Sequence, residues 1–82
     1  MKQTPEIQLL VRQECHLCAA ARQAVAEVTS RLGMSFSEVD IDTRPELREQ
    51  HHEEVPVLLI DGQVRDFWRI DPQRLERLLR EH

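Results

Sequence analysis

The sequence is poor in cysteine, has no long apolar segment and has no surplus of basic residues. Its 82 residues include two cysteines, close together, whereas a small secreted domain built on disulfides usually carries four or more. No apolar run approaches the roughly 18 residues of a membrane span. The 11 Lys and Arg face 15 Asp and Glu, giving a formal net charge of −4. We therefore expect neither a membrane nor a nucleic-acid partner.

Length and composition are those of one small globular domain, which we place at residues 1–82. Hydrophobic residues make up 40% of the chain and charged residues 32%, which is enough for a core without a metal or a disulfide framework. The first five residues are polar and lack the apolar segment of a secretory signal. We therefore expect a cytoplasmic protein, and we expect it to be a monomer.

Short apolar runs predict four strands, at residues 7–12, 35–41, 57–60 and 64–68. A long helix is predicted from the cysteines to Gly33, where a glycine suits a helix end. Its apolar stripe has a spacing of three and four residues. The stripe consists of Leu17, Ala20, Ala21, Ala24, Val25, Val28 and Leu32.

Turn and capping residues complete the pattern. A short helix is predicted at residues 45–51, with Thr43 as its N-cap, and Asp71-Pro72 opens a last helix as N-cap and first residue. Asp61-Gly62 predicts a tight hairpin between the last two strands. The order β-α-β-α-β-β-α gives an α/β fold with a four-stranded mixed sheet flanked by helices. Its first two strands are parallel, because a helix joins them.

The chemically informative motif is Cys15-His16-Leu17-Cys18, at the junction of the first strand and the long helix. If Cys15 lies near the N-cap, Cys18 follows one turn later, and their Cα atoms are about 5–6 Å apart, within disulfide range. The free N–H groups and the positive end of the helix dipole favour a thiolate. Cys15 is therefore predicted as the nucleophile, and Cys18 as the cysteine that resolves the mixed disulfide.

Nearby charges modify that prediction. A protonated His16 and the guanidinium of Arg12 stabilise a thiolate, whereas the adjacent Glu14 opposes both.

Two other interpretations of the cysteines stay open: half of a zinc site, or an inert packed pair. A structural zinc site needs four ligands, and no second cysteine pair exists, so we expect no metal site. The histidines available as further ligands are His16, His51, His52 and His82. Trp68, the only tryptophan, is interpreted as a packing residue of the core or an edge strand. The alternative is an apolar wall beside the cysteines that contacts substrate.

The ordered set of motifs resembles the glutaredoxin branch of the thioredoxin superfamily, and it looks closest to small bacterial glutaredoxin-like proteins. The resemblance covers about residues 6–80. It rests on Arg12 before the Cys-x-x-Cys motif, Val-Asp-Ile-Asp at 39–42, Pro-Glu-Leu-Arg at 45–48, Val55-Pro56, and Asp61-Gly62.

The resemblance implies a thioredoxin-like fold and thiol–disulfide oxidoreductase activity. It implies a cis peptide bond before Pro56, and a main chain at Val55 that pairs with an extended substrate. The expected substrate site thus comprises Arg12, His16, Leu17, Val55 and Pro56. The expected substrate is a disulfide-containing protein or small molecule.

Three departures limit what the resemblance implies. The residues between the cysteines are His16-Leu17, where glutaredoxins have Pro-Tyr, so the reduction potential does not carry over. Glu14 stands where relatives often have glycine. The Gly-Gly pair whose amides hold the glutathione carboxylate is replaced by residues 65–68, Arg-Asp-Phe-Trp, and Asp66 repels a carboxylate. We expect no tightly bound cofactor. Glutathione remains one candidate reductant beside thioredoxin reductase, and the sequence does not identify the electron donor.

Three functions therefore compete. The preferred one is a dithiol oxidoreductase that reduces disulfides. The second is a module that binds metal or an iron–sulfur cluster, and the third is a redox-passive domain that recognises a protein partner.

Overall fold

The secondary structure follows the expected order. The computed structural model describes residues 4–81, and within them lie four strands and three helices. The strands are β1 (Ile7–Val11), β2 (Ser37–Asp40), β3 (Val57–Ile60) and β4 (Gln63–Phe67). The helices are α1 (His16–Arg31), α2 (Pro45–His51) and α3 (Pro72–Arg80), and a 3-10 turn forms at Ile41–Thr43. No helix of the described part is long and apolar enough to cross a membrane.

The strands form one mixed sheet in the order β2-β1-β3-β4. β1 and β2 are parallel, with Leu10 opposite Val39. β3 runs antiparallel to both β1 and β4. The predicted four-stranded mixed sheet is confirmed, including the parallel pairing that the helical crossover requires.

The core lies around the two central strands, and it positions the cysteines. β1 and β3 supply mostly buried apolar residues, because each has a neighbouring strand on both edges. α1 and α3 contact each other and contribute Val25, Val28, Leu75 and Leu79 to this core. Cys18 belongs to the same cluster. Burial of Cys18 in the core therefore fixes the start of α1.

The apolar stripe of α1 is buried along only part of its length. Ala21, Val25 and Val28 are buried, as the spacing predicts. Leu17 and Ala20, at the first turn of the helix, are exposed. The helical period thus identifies the correct face of α1. It does not show how far along the helix other residues cover that face.

The connection from β2 to α2 differs from the expectation. β2 ends at Asp40, because its carboxylate accepts a hydrogen bond from the N–H of Asp42 and its carbonyl accepts one from the Thr43 hydroxyl. Ile41 therefore begins the 3-10 turn. The prediction of Thr43 as the N-cap of α2 is wrong: Arg44 takes that position, with no side-chain hydrogen bond from it in the described residues.

The hairpin between β3 and β4 ends in an irregular segment that matters for the site. Asp61 and Gly62 both have positive φ, 52° and 81°, as a two-residue hairpin turn of this kind requires. The register then shifts between Leu58 and Leu59, which leaves an extra residue on β4. The strand ends at Phe67, one residue earlier than predicted, and Trp68 follows with a left-handed φ of 64°.

Candidate active site

The two cysteines lie at the N-terminus of α1 and form a disulfide. Cys15 is the N-cap, with extended backbone angles, and the N–H of Cys18 donates to its Sγ at 3.1 Å. The same N–H lies 3.3 Å from the Cys15 carbonyl oxygen. The two Cα atoms are 5.3 Å apart, as the N-cap placement predicts. A thiolate at Cys15 would find a main-chain donor already aimed at it.

The two sulfurs differ in accessibility. Cys18 is 2% exposed and packed into the core, whereas Cys15 is partly exposed and lies at its edge. An incoming disulfide can therefore approach Cys15, while Cys18 is placed to attack the Sγ of Cys15 once that sulfur is bonded to a substrate.

A charged cleft of about 400 Å³ opens on one side of the pair. Besides the cysteines, its lining includes Arg12, Glu14, Arg22 and Asp40. Arg22 forms an ion pair with Glu38. The predicted thiolate stabiliser Arg12 lies in this cleft, but its Nη1 donates to the carbonyl of His52 at 3.3 Å.

Glu14 has a left-handed backbone, with φ of 57°. This conformation favours glycine, since a side chain at positive φ crowds the neighbouring backbone. The finding gives a physical reason for the glycine that the resemblance leads one to expect here. The glutamate holds an exposed negative charge directly before the nucleophile.

Residues 52–56, which we call the proline loop, approach the site from the end of α2. The Val55-Pro56 bond is cis, as the resemblance implies. Within residues 4–81 the main chain of Val55 has no hydrogen-bond partner, although the residue as a whole is buried. The Pro56 carbonyl accepts a hydrogen bond from the Trp68 N–H at 2.8 Å.

An apolar surface lies on the other side of the motif, formed by Leu17, Phe67 and Trp68. These side chains are 39%, 41% and 53% exposed, and with Arg69 they line a shallow pocket of about 380 Å³. The two rings meet edge to face with centroids 5.0 Å apart. Trp68 is therefore not the core residue that one half of the prediction expects; it follows the edge strand β4 and packs against Phe67 there. Its indole Nε1–H donates to the Glu53 carbonyl at 2.9 Å, in the proline loop.

The Asp66 carboxylate accepts hydrogen bonds from main-chain N–H groups near the apolar surface. Its Oδ1 accepts from the N–H of Phe67 at 2.9 Å, and its Oδ2 accepts from the N–H of Asp71 at 3.2 Å. The carboxylate thus ties the end of β4 to the start of α3.

The described histidine side chains do not share a common partner. His16 is exposed at the first residue of α1 and has no hydrogen bond or ion pair within the described part of the chain. His51 contacts Glu54 at 3.3 Å and His52 contacts Glu53 at 3.6 Å. His82 lies outside the described residues. Across residues 4–81, no three His, Cys, Asp or Glu side chains are grouped to hold a metal ion.

Sequence reasoning placed the cysteines, Arg12, His16 and Leu17 at this end of α1, but it missed Phe67. As a strand neighbour of Trp68, Phe67 would point to the opposite face of a regular strand. The left-handed backbone at Trp68 ends the strand and brings the two rings together. A tryptophan does not indicate a left-handed backbone, so the sequence does not predict this arrangement.

Comparison with known proteins gives relatives over most of the chain. The sequence model described as "Glutaredoxin-like domain (DUF836)" matches residues 6–80. An uncharacterised protein of Mycobacterium tuberculosis, Rv0508, is 33% identical over 76 residues, which cover 87% of this chain and 78% of that protein.

Solved structures agree with the observed topology. Target protein XcR50 from X. campestris superposes with a TM-score of 0.76 and 31% identity, covering 93% of this chain and 97% of that one. Mitochondrial thioredoxin 3 from Saccharomyces cerevisiae gives a TM-score of 0.67 at 18% identity, covering 99% of this chain and 81% of that one. At that identity the second likeness shows the fold alone. The predicted thioredoxin-like fold is confirmed.

Proposed function

Because the chain belongs to the glutaredoxin-like domain family (DUF836), we propose that it is a thiol–disulfide oxidoreductase that reduces disulfides with Cys15 and Cys18. The thioredoxin-like fold and the Cys15–Cys18 disulfide support a redox-type function. The observation that carries the finer proposal is Cys15 at the N-cap of α1, with the Cys18 N–H directed at its sulfur.

The reaction begins with the reduced pair. The Cys15 thiolate attacks one sulfur of the substrate disulfide, the substrate S–S bond breaks, and the other substrate sulfur leaves as a thiolate. Cys18 then loses its proton and attacks Cys15 Sγ, which forms the intramolecular disulfide and releases the second substrate thiol. The cysteine pair gives two electrons to the substrate. One of the two protons that the substrate thiols carry comes from Cys18 and the other from solvent, because Cys15 starts as a thiolate. A thiol or dithiol donor must then reduce the pair.

The surroundings support this division of labour. The N–H of Cys18 stabilises charge on Cys15 Sγ in the reduced state. The burial of Cys18 keeps it away from outside disulfides. The unpaired main chain of Val55 is the proposed pairing site for an extended substrate.

The deciding measurement is the redox equilibrium of the pair in defined thiol/disulfide buffers, read by mass after alkylation. The proposal expects one two-electron transition, with a potential between about −300 and −180 mV. Failure of the cysteines to form an intramolecular disulfide in oxidising buffer would refute it.

The same samples separate the competing functions. Iron or zinc that copurifies with the protein and prevents disulfide formation until it is removed would favour the metal-binding module. A pair that stays reduced in a metal-free protein would favour the redox-passive interaction domain.

A further inference from the structure

We infer that Trp68 determines specificity: with Leu17 and Phe67 it receives an apolar side chain next to the cysteine of a protein disulfide, in preference to glutathione. The inference rests on the proposed oxidoreductase function and identifies its substrate class as extended protein segments. Three features of the site support it.

The first feature is that three of the main-chain donors between Phe67 and Asp71 are already used. The Phe67 and Asp71 N–H groups donate to the Asp66 carboxylate, and the Trp68 N–H donates to the Pro56 carbonyl. A carboxylate of a small thiol would have to displace an internal carboxylate of the same charge. The half-buried Asp66 also repels it. This segment is therefore poorly suited to an anionic tripeptide.

The second feature is that Trp68 is held in place although it is exposed. Its main-chain N–H and its indole N–H both bond to the proline loop, at 2.8 and 2.9 Å. A bulky residue with a left-handed φ of 64° is unfavourable in isolation. The two hydrogen bonds maintain this conformation and keep the ring oriented without burying it. A fixed, exposed aromatic ring provides contact area at little cost in conformational entropy.

The third feature is continuity with the reactive sulfur. Leu17 lies two residues after Cys15 in the chain and lines the same pocket as Trp68, so this surface begins within one helical turn of the nucleophile. A peptide bonded to Cys15 in the mixed disulfide can therefore extend onto it. Val55 offers that molecule main-chain pairing on the same side, through the loop to which Trp68 is bonded. An extended peptide satisfies both features, since its main chain pairs with Val55 while a flanking apolar side chain enters the pocket.

The test uses single-turnover reduction, which needs no electron donor. Fully reduced protein is mixed with excess disulfide-linked peptide dimer, and the products are quenched by acid and alkylated for mass analysis. Two peptides differ only in the residues flanking the cysteine, leucine in one and serine in the other. Oxidised glutathione is the third substrate. We expect the leucine peptide to react about tenfold faster than the serine peptide, and glutathione to react most slowly.

Two variants and one control test whether the apolar surface causes this preference for the leucine peptide. Trp68→Ala and Leu17→Ser each lower the leucine-to-serine rate ratio towards one, and Leu17→Ser serves if Trp68→Ala does not fold. Val64→Ser removes a similarly exposed apolar residue of β4, 46% exposed and outside the apolar surface, and leaves the ratio unchanged.

The outcomes distinguish the two proposals. Equal rates for all three substrates, or a ratio that both variants leave unchanged, overturn the specificity proposal while the oxidoreductase function stands. A reduced wild-type protein that reacts with none of the substrates overturns both.

Discussion

The two sides of the Cys15–Cys18 disulfide differ in how their side chains are used. In the charged cleft, Arg22 is paired with Glu38, and Arg12 is bonded to the His52 carbonyl. These charges are engaged within the protein, and they fix the loops around the nucleophile. On the apolar surface, side chains that would each contribute about 1.5–3 kcal/mol if buried remain exposed.

The comparison teaches that exposure of apolar residues is the more informative signal at this site. Charged residues on a surface are usual, whereas a contiguous apolar patch beside a reactive group marks a place where another molecule binds. We propose that the charged side maintains the structure around Cys15, whereas the apolar side selects what reaches the cysteine.

The largest expected effect comes from the sulfurs that both sides share. Cys15→Ser abolishes disulfide reduction, because the only accessible nucleophile is lost. Cys18→Ser retains the first attack and accumulates a mixed disulfide at Cys15, because nothing then resolves it. Mass analysis of each variant after incubation with the disulfide peptides measures both results. A Cys15→Ser protein that forms mixed disulfides through Cys18 would reverse the assigned order of attack.

A second prediction separates apolar residues that stabilise the fold from those that serve the site. Leu75→Ala, in the core on α3, lowers the free energy of unfolding by about 2–5 kcal/mol. Leu17→Ala, on the apolar surface, changes it by less than about 0.5 kcal/mol. Urea denaturation of the two variants provides the measurement, each being the control for the other. A loss of stability at Leu17 similar to that at Leu75 would make the apolar surface part of the core.

Sequence reasoning reached the fold because local signals agreed with one another. The apolar runs of β1 and β3, the Asp61-Gly62 turn and the Asp71-Pro72 helix start each act within a few residues, and the structure has all of them. The cysteine geometry followed from the helical repeat and the N-cap position alone.

What could not be predicted depends on distant partners or on the backbone. The exposure of Leu17 depends on which residues cover the start of α1. The spacing of apolar residues along the helix does not predict those residues. The shift in the β3–β4 register and the left-handed Trp68 jointly place Phe67 at the site. Arg12 was predicted to stabilise the thiolate from its sequence distance to Cys15, but its hydrogen bond goes to a residue 40 positions away.

The smallest expected effect tests what the charged cleft contributes to Cys15. Glu14 lies directly before Cys15 and disfavours a thiolate there, so Glu14→Gln lowers the pKa of the Cys15 thiol. Arg12→Gln raises it by less, because the guanidinium is directed to the proline loop.

The measurement is the pH dependence of the alkylation rate of Cys15 in a Cys18→Ser background, where it is the sole thiol. Arg74→Gln, an exposed arginine of α3 outside the cleft, is the control for a change of one charge and leaves the pKa unchanged. A rise larger for Arg12→Gln than the fall for Glu14→Gln would show that Arg12 acts on the thiolate directly. In that case the charged cleft contributes to the chemistry itself. Its arginines would then tune the reactivity of Cys15 instead of only maintaining the structure around it, while the apolar surface selects the substrate.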